Sequence, residues 1–163
     1  MDRWTGEPER AELNSFIVRA KAATYMARPR PTPTVTGNQT VYTFESGDFA
    51  YSDRYFGSEA FVGQELVSYL GTVIWGMNYF GLVVGSDPPV TGSEVADILR
   101  DALGQMYAEG RFLGGFQWSN GVHSYSDHSV GDVTEFRGEE SIRDSGHREV
   151  YRLAYHGGLV RDS

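Results

Sequence analysis

Two blocks that mix aromatic residues with glycine constrain this chain more than any other feature: Val73-Ile74-Trp75-Gly76-Met77-Asn78-Tyr79-Phe80-Gly81 and Gly110-Arg111-Phe112-Leu113-Gly114-Gly115-Phe116. Both read as strands, yet their glycines stand where a plain packed strand carries β-branched side chains. Glycine inside a strand marks a bulge, a bend or a close approach to the backbone. Large rings beside missing side chains therefore predict a strongly curved sheet around a concavity, and concavities bind small molecules.

The chain is long enough to build one. Its 163 residues suit one α+β domain over residues 1–163, with a core that needs no disulfide or structural metal. A 40% hydrophobic and 13% aromatic content excludes a disordered chain. Without cysteine, thiol catalysis, cysteine-bound zinc and iron–sulfur chemistry are excluded. Lys21 is the only lysine, so Schiff-base chemistry has one candidate. The net charge of −8 argues against a nucleic-acid surface, which needs clustered positive charge. Met1-Asp2-Arg3-Trp4-Thr5-Gly6-Glu7 lacks the apolar run of a signal peptide, and no stretch approaches the roughly 18 apolar residues of a membrane span. The expectation is a soluble, cytoplasmic protein.

Periodicity orders the elements. Leu13, Phe16, Ile17, Ala20 and Thr24 recur at helical spacing and predict a helix from Glu9 to about Ala27. The run Arg28-Pro29-Arg30-Pro31-Thr32-Pro33 stops it, and residues 28–40 read as a proline-rich loop. That loop is a surface connection, with a recognition motif or flap as the alternatives. Hairpins follow: Val41–Phe44 with Phe49–Phe56, then Ala60–Leu70 with Thr72–Phe80 about Gly71. Thr91 and Glu94 make a capping box for a second helix whose apolar stripe runs from Val95 to Tyr107, and Gly110 suits its C-terminal end. Four more strands are predicted at Arg111–Trp118, Val122–Asp127, Val133–Phe136 and Glu149–Tyr155. The order α-β4-α-β4, without β-α-β alternation, gives an antiparallel sheet of about 7–8 strands packed with two helices. No internal repeat is visible beyond a loose αβ/αβ echo.

Strand alternation sorts the candidate site residues. Phe61, Gly63, Glu65, Val67 and Tyr69 share a face, so Glu65 lies among apolar neighbours. Desolvation would raise its pKa, which prepares a carboxyl for acid–base work; pairing with Arg54 or Arg111 is the structural alternative. Asn78 is polar on an apolar side and could orient an oxyanion, or satisfy a bulged backbone. His156, at a strand end before Gly157-Gly158, is an acid–base candidate or a hydrogen-bonded structural histidine. Tyr79 would help hold the oxyanion. Tyr55, Trp75, Met77, Arg111, Phe116 and Tyr155 are the expected ligand contacts. His123, Tyr125 and Asp127 alternate onto one face, with His128 beside them and His156 on another strand, as a metal set; against it, no HxH or HxxxH pair occurs and His123 and His128 point oppositely in a regular strand. No cofactor or metal is expected: Gly110–Gly115 follows a helix and opens a strand, the reverse of a dinucleotide fingerprint.

In order along the chain, Asp53-Arg54-Tyr55-Phe56-Gly57, Gly63-Gln64-Glu65, Trp75 through Gly81, Tyr107 through Phe116 and Tyr155-His156-Gly157-Gly158 resemble a bacterial family described as domain of unknown function 5680, over about Leu13 to Val160. Some members look like the tail of a helix-turn-helix regulator, which implies a ligand sensor. The acidic front end and single first helix here supply no such DNA-binding part, which leaves room for a stand-alone enzyme. The family brings no assigned chemistry.

The reading that follows is a small cofactor-independent acid–base isomerase, cyclase or lyase acting on a hydrophobic or aromatic metabolite. Glu65 and His156 would exchange protons, and Asn78 with Tyr79 would hold the oxyanion. The competing reading is a non-catalytic binding domain: sensor, carrier or resistance protein. Open sheet edges would also make a homodimer unsurprising.

Overall fold

In the computed structural model, which describes residues 8–162, helix α1 (Arg10–Ala23) turns its apolar stripe inward and buries Leu13, Phe16, Ile17 and Ala20. The reading of Met1 to Glu7 as leaderless lies outside the described residues. The helix is shorter than its periodicity predicts: the backbone leaves helical geometry at Thr24 (φ −110°, ψ −103°), whose Oγ1 donates to the Ala20 carbonyl at 2.8 Å. Helix α2 (Gly92–Ala108) begins in the predicted capping box: Thr91 Oγ1 accepts from the Glu94 N–H while the Glu94 carboxylate accepts from the Thr91 N–H. Its buried residues Val95, Ile98, Leu99, Ala102 and Met106 fall on one stripe.

Nine strands form one antiparallel sheet: β1 (Thr34–Thr36), β2 (Gln39–Ser46), β3 (Phe49–Phe56), β4 (Ala60–Tyr69), β5 (Thr72–Val83), β6 (Phe116–Ser119), β7 (Ser124–Asp132), β8 (Glu135–Arg143) and β9 (Glu149–Leu159). Their spatial order is β1-β2-β3-β4-β5-β9-β8-β7-β6, so the sheet is open, with β1 and β6 as its edges. The α+β class with two helices stands. The strand count and order differ from the expectation, because β1 lies inside the expected 28–40 loop and gives the first half five strands.

Two further boundaries are corrected. Residues 111–115 form a loop, and the second aromatic-glycine block contributes only Phe116 to a strand. Gly114 and Gly115 take positive φ values of 96° and 78°, and Arg111 Nη1 donates to the carbonyls of Leu113 and Gly115. Strand β8 is much longer than Val133–Phe136, and Val133 sits in the turn before it. Its charged outer residues Arg137 and Glu139 alternate with inward Phe136, Gly138, Glu140 and Ile142, and that charge masks the strand in the sequence.

Both helices pack on one face of the sheet, giving two neighbouring cores. One joins Phe16, Ile17, Phe49, Val67, Trp75, Phe112 and Phe136; the other joins α2 to Tyr125, Ile142, Val150 and Tyr151. Among the described residues no helix is long and apolar enough to cross a membrane.

Candidate functional site

The two halves of the sheet repeat each other. Tyr51-Ser52-Asp53 in β3 matches Tyr125-Ser126-Asp127 in β7, and Phe61-Val62-Gly63-Gln64-Glu65 in β4 matches Phe136-Arg137-Gly138-Glu139-Glu140 in β8. Tyr79-Phe80-Gly81 in β5 likewise matches Tyr155-His156-Gly157 in β9. Register makes the match spatial. Asp53 lies opposite Glu65 as Asp127 lies opposite Glu140, and Tyr79 lies opposite Gly63 as Tyr155 lies opposite Gly138. Tyr79 and Tyr155 face each other across the central β5–β9 pair, so a pseudo-twofold axis passes between them. The loose αβ/αβ echo of the sequence is thus a residue-level repeat of the two sheet halves, where no repeat beyond the echo was expected.

Each half uses the repeat to build a carboxylate–tyrosine pair. A Cβ at Gly63 or Gly138 would fall inside the ring of Tyr79 or Tyr155, so only glycine lets each ring lie across the neighbouring strand. The hydroxyls thereby reach the next strand over. Tyr79 donates to Asp53 Oδ1 at 2.6 Å and Tyr155 to Asp127 Oδ1 at 2.7 Å. Between the sheet's inner face and the two helices lies a cavity of about 410 Å³, lined in part by Asp53, Glu65, Asp127, Glu140 and both tyrosines. Phe61, Met77, Leu99, Leu103 and Met106 supply much of its apolar wall.

The halves neutralise their glutamates differently. Lys21, from α1, holds both oxygens of Glu65 at 2.8 and 2.6 Å, and all of this pair is buried. Glu140 has no cation; it accepts instead from Tyr125 at 2.6 Å and Tyr151 at 2.7 Å. Burial pushes the Glu140 carboxyl up to about 7, although both hydroxyl bonds oppose the shift. Burial, with the Glu65 charge beside it, also pushes Asp53 up to about 7 against the pull of Tyr79 and Lys21. Asp127 is raised by burial as well. Its Oδ2 is buried with no hydrogen-bond partner. Burial and the neighbouring carboxylates raise Tyr79 and Tyr155 well above the usual phenol range, so both remain neutral donors.

Of the residues singled out in the sequence, Glu65, Tyr79, Tyr55, Met77 and Tyr155 line the cavity. Asn78 and His156 do not. They lie opposite each other on the outer, solvent-facing side of β5 and β9, and Asn78 Oδ1 accepts from Gln64 at 2.9 Å. Both alternate with cavity-facing Tyr79 and Tyr155, and helices cover only the other face, so a cavity role for either is corrected. Trp75 is fully buried in the core, its Nε1 donating to the Val133 carbonyl at 3.1 Å. Arg111 pins the 111–115 loop, and its guanidinium lies over the ring of Phe116; neither residue reaches the cavity. The 1:1 alternation of β7 also separates buried Asp127 from exposed His128, while His123 sits in the preceding turn. Among the described residues, no three His, Asp or Glu side chains form a metal-holding group.

Sequence reasoning took Lys21 only as a Schiff-base candidate, passed over Asp53 and Glu140 as site residues, and treated Asp127 only as a metal ligand. The repeated Tyr-Ser-Asp and Phe-x-Gly-x-Glu motifs were the signal that could have found the three acids.

A family model described as domain of unknown function (DUF5680) matches residues 53–160, about two thirds of the chain, and the chain belongs to that family. The match takes in the first repeat from Asp53 onward and the whole of the second. No curated protein and no solved structure matches the chain.

Proposed function

We propose that this DUF5680 member binds a small hydrophobic or aromatic metabolite in the inner-face cavity and transforms it by general acid–base chemistry, as an isomerase, cyclase or lyase. The observation that carries the reading is Asp53: a buried carboxyl, raised to about 7, lining a cavity and accepting a 2.6 Å bond from Tyr79. A group half-ionised near neutrality both takes and returns a proton, and catalytic efficiency is greatest when the pKa lies near the working pH. Glu65 keeps a part, now as the charge that helps raise Asp53, held in place by Lys21. Tyr79 orients the carboxylate through Oδ1 and leaves the second oxygen for substrate. The apolar wall of Phe61, Met77 and Leu103 suits an aromatic or aliphatic body. Asn78 and His156 have no part in this reading.

The test is to incubate the purified protein with a small-molecule cell extract. Chromatography–mass spectrometry of the supernatant would run beside native mass spectrometry of the protein. A metabolite consumed far beyond the molar amount of protein, and spared by Asp53→Asn, is the expected result. Turnover that survives Asp53→Asn would remove the mechanism.

One observation favours a non-catalytic binding domain instead. Glu140 is saturated by two tyrosines of its own half, as a structural carboxyl would be. Stoichiometric retention of an unchanged metabolite would decide for that reading.

A further inference from the structure

The hydrogen-bonding capacity of the cavity is lopsided. Four buried carboxyls line it, from Asp53, Glu65, Asp127 and Glu140, whereas Lys21 is its one buried cation. Lys21 is already engaged with both oxygens of Glu65. A phenol has one proton to donate, and the four tyrosines that touch these acids have each spent it: Tyr79 on Asp53, Tyr155 on Asp127, Tyr125 and Tyr151 on Glu140. The phenols of Tyr25, Tyr51, Tyr55 and Tyr107 line the cavity as well, so a ligand meets four buried carboxyls together with neutral hydroxyls and ring faces. Arg30, at the rim, is the other cationic side chain on the lining, and it is exposed.

One acceptor has no protein partner. Asp127 is only 6% exposed, lines the cavity, and has an Oδ2 without any protein donor. A buried oxygen without a partner carries the full cost of its lost hydration, so native proteins rarely leave one unless something else supplies the donor. In the first half Lys21 contacts Glu65 directly; in the second no cationic side chain hydrogen-bonds Asp127 Oδ2, although His128, Arg111 and Lys21 act on Asp127 from farther off. The place beside that oxygen suits a cation.

We infer that the ligand carries a protonated amine or guanidinium, seated beside the Asp127 carboxylate in the second half of the cavity, with its apolar body along the Met77 and Phe61 wall. An ammonium there gains a charge-assisted bond to Asp127 and cation–π attraction from the neighbouring tyrosine rings. It plays for the second half the part that Lys21 plays for the first. An anionic ligand would meet four buried carboxyls, set against Lys21 as the one buried cation on the lining. The inference rests on the reading of this cavity as a ligand site.

Calorimetric titration with three probes of similar shape tests it: 2-phenylethylamine, 3-phenylpropionate and 2-phenylethanol, at mildly alkaline pH where the carboxyls are ionised. The amine is expected to bind at least about tenfold more tightly than either of the others, and Asp127→Asn to weaken it by at least about tenfold. A melting curve of Asp127→Asn that matches wild type keeps that loss attributable to the charge. Should the variant fail to fold, competition of the amine by guanidinium and quaternary-ammonium analogues, but not by carboxylates, supports the same conclusion on wild type. Equal binding of amine, alcohol and acid would overturn the cation while leaving the cavity reading intact. Binding of none of the three, with or without analogues, would count against both.

Discussion

The two halves of the sheet carry the same motif but hold its glutamate by different chemistry. Glu65 rests against an ammonium delivered by α1, whereas Glu140 rests against two phenols delivered by β7 and β9. The difference shows what the repeat conserves and what it leaves free. It preserves the sheet geometry: an aspartate opposite a glutamate, and a glycine beneath a tyrosine ring that reaches across it. It does not preserve the charge. Lys21 pairs with the glutamate of the first half, while the second holds Glu140 at about 7 without an ion pair and one Asp127 oxygen without a donor.

The largest effect should follow from removing the cation of the first half. Lys21→Met leaves Glu65 buried and unpaired, and should cost about 3–5 kcal/mol of unfolding free energy by urea denaturation. Replacing both partners by apolar residues should recover most of that loss. If Lys21→Met costs no more than an exposed substitution, the ion pair does not organise the first half.

Next come the glycines beneath the rings. Gly63→Ala and Gly138→Ala should each lose about 1–3 kcal/mol, since the added methyl displaces Tyr79 or Tyr155. Matching losses would sharpen the case for equivalent halves. A loss at one site only would break it.

Single hydroxyl deletions should fall in a similar or slightly lower range. Tyr125→Phe and Tyr151→Phe each remove one bond to Glu140, at about 1–3 kcal/mol apiece. Tyr79→Phe, acting on Asp53, provides the comparison in the other half.

The smallest and most diagnostic effect is on pH dependence. Asp53 and Glu140 sit near 7 in the folded chain against ordinary values of 3.8 and 4.5. Between those limits the folded state binds more protons than the unfolded state, so stability falls as pH rises from about 4 through about 7, and the loss is complete above it. Thermal melts across that window should show the decline, and Asp53→Asn or Glu140→Gln should each flatten part of it. A midpoint independent of pH would contradict both shifts.

Much of this was legible in the sequence, for local reasons. The Thr91–Glu94 box and the Val95–Met106 stripe are local patterns, and the structure keeps both. Alternation in β4 correctly put Glu65 with Phe61, Gly63 and Val67. The same alternation separated Asn78 from Tyr79, but only the packed helices reveal which face has a cavity and which has water. His156 was chosen for its chemistry, although its neighbour Tyr155 faces inward and so turns it out. Asp53 and Glu140 were missed because their meaning is long-range: Asp53 matters through Glu65, Tyr79 and Lys21, which lie on other elements. The repeat that unites them is readable, yet its second copy has one residue more between aspartate and glutamate and one more between glutamate and tyrosine. Loops absorb that slip, strand register is unaffected, and a fixed-period search passes over it.

The account rests on carboxyl groups inside the cavity that exchange protons near neutrality. The direct measurement is a carbon-13 NMR titration of the aspartate and glutamate side-chain carboxyls, assigned by Asp53→Asn and Glu140→Gln. Two carboxyls with midpoints near 7, lost one by one in those variants, are the predicted result. Midpoints for Asp53 and Glu140 close to 3.8 and 4.5 would contradict it, and the acid–base reading would go with them.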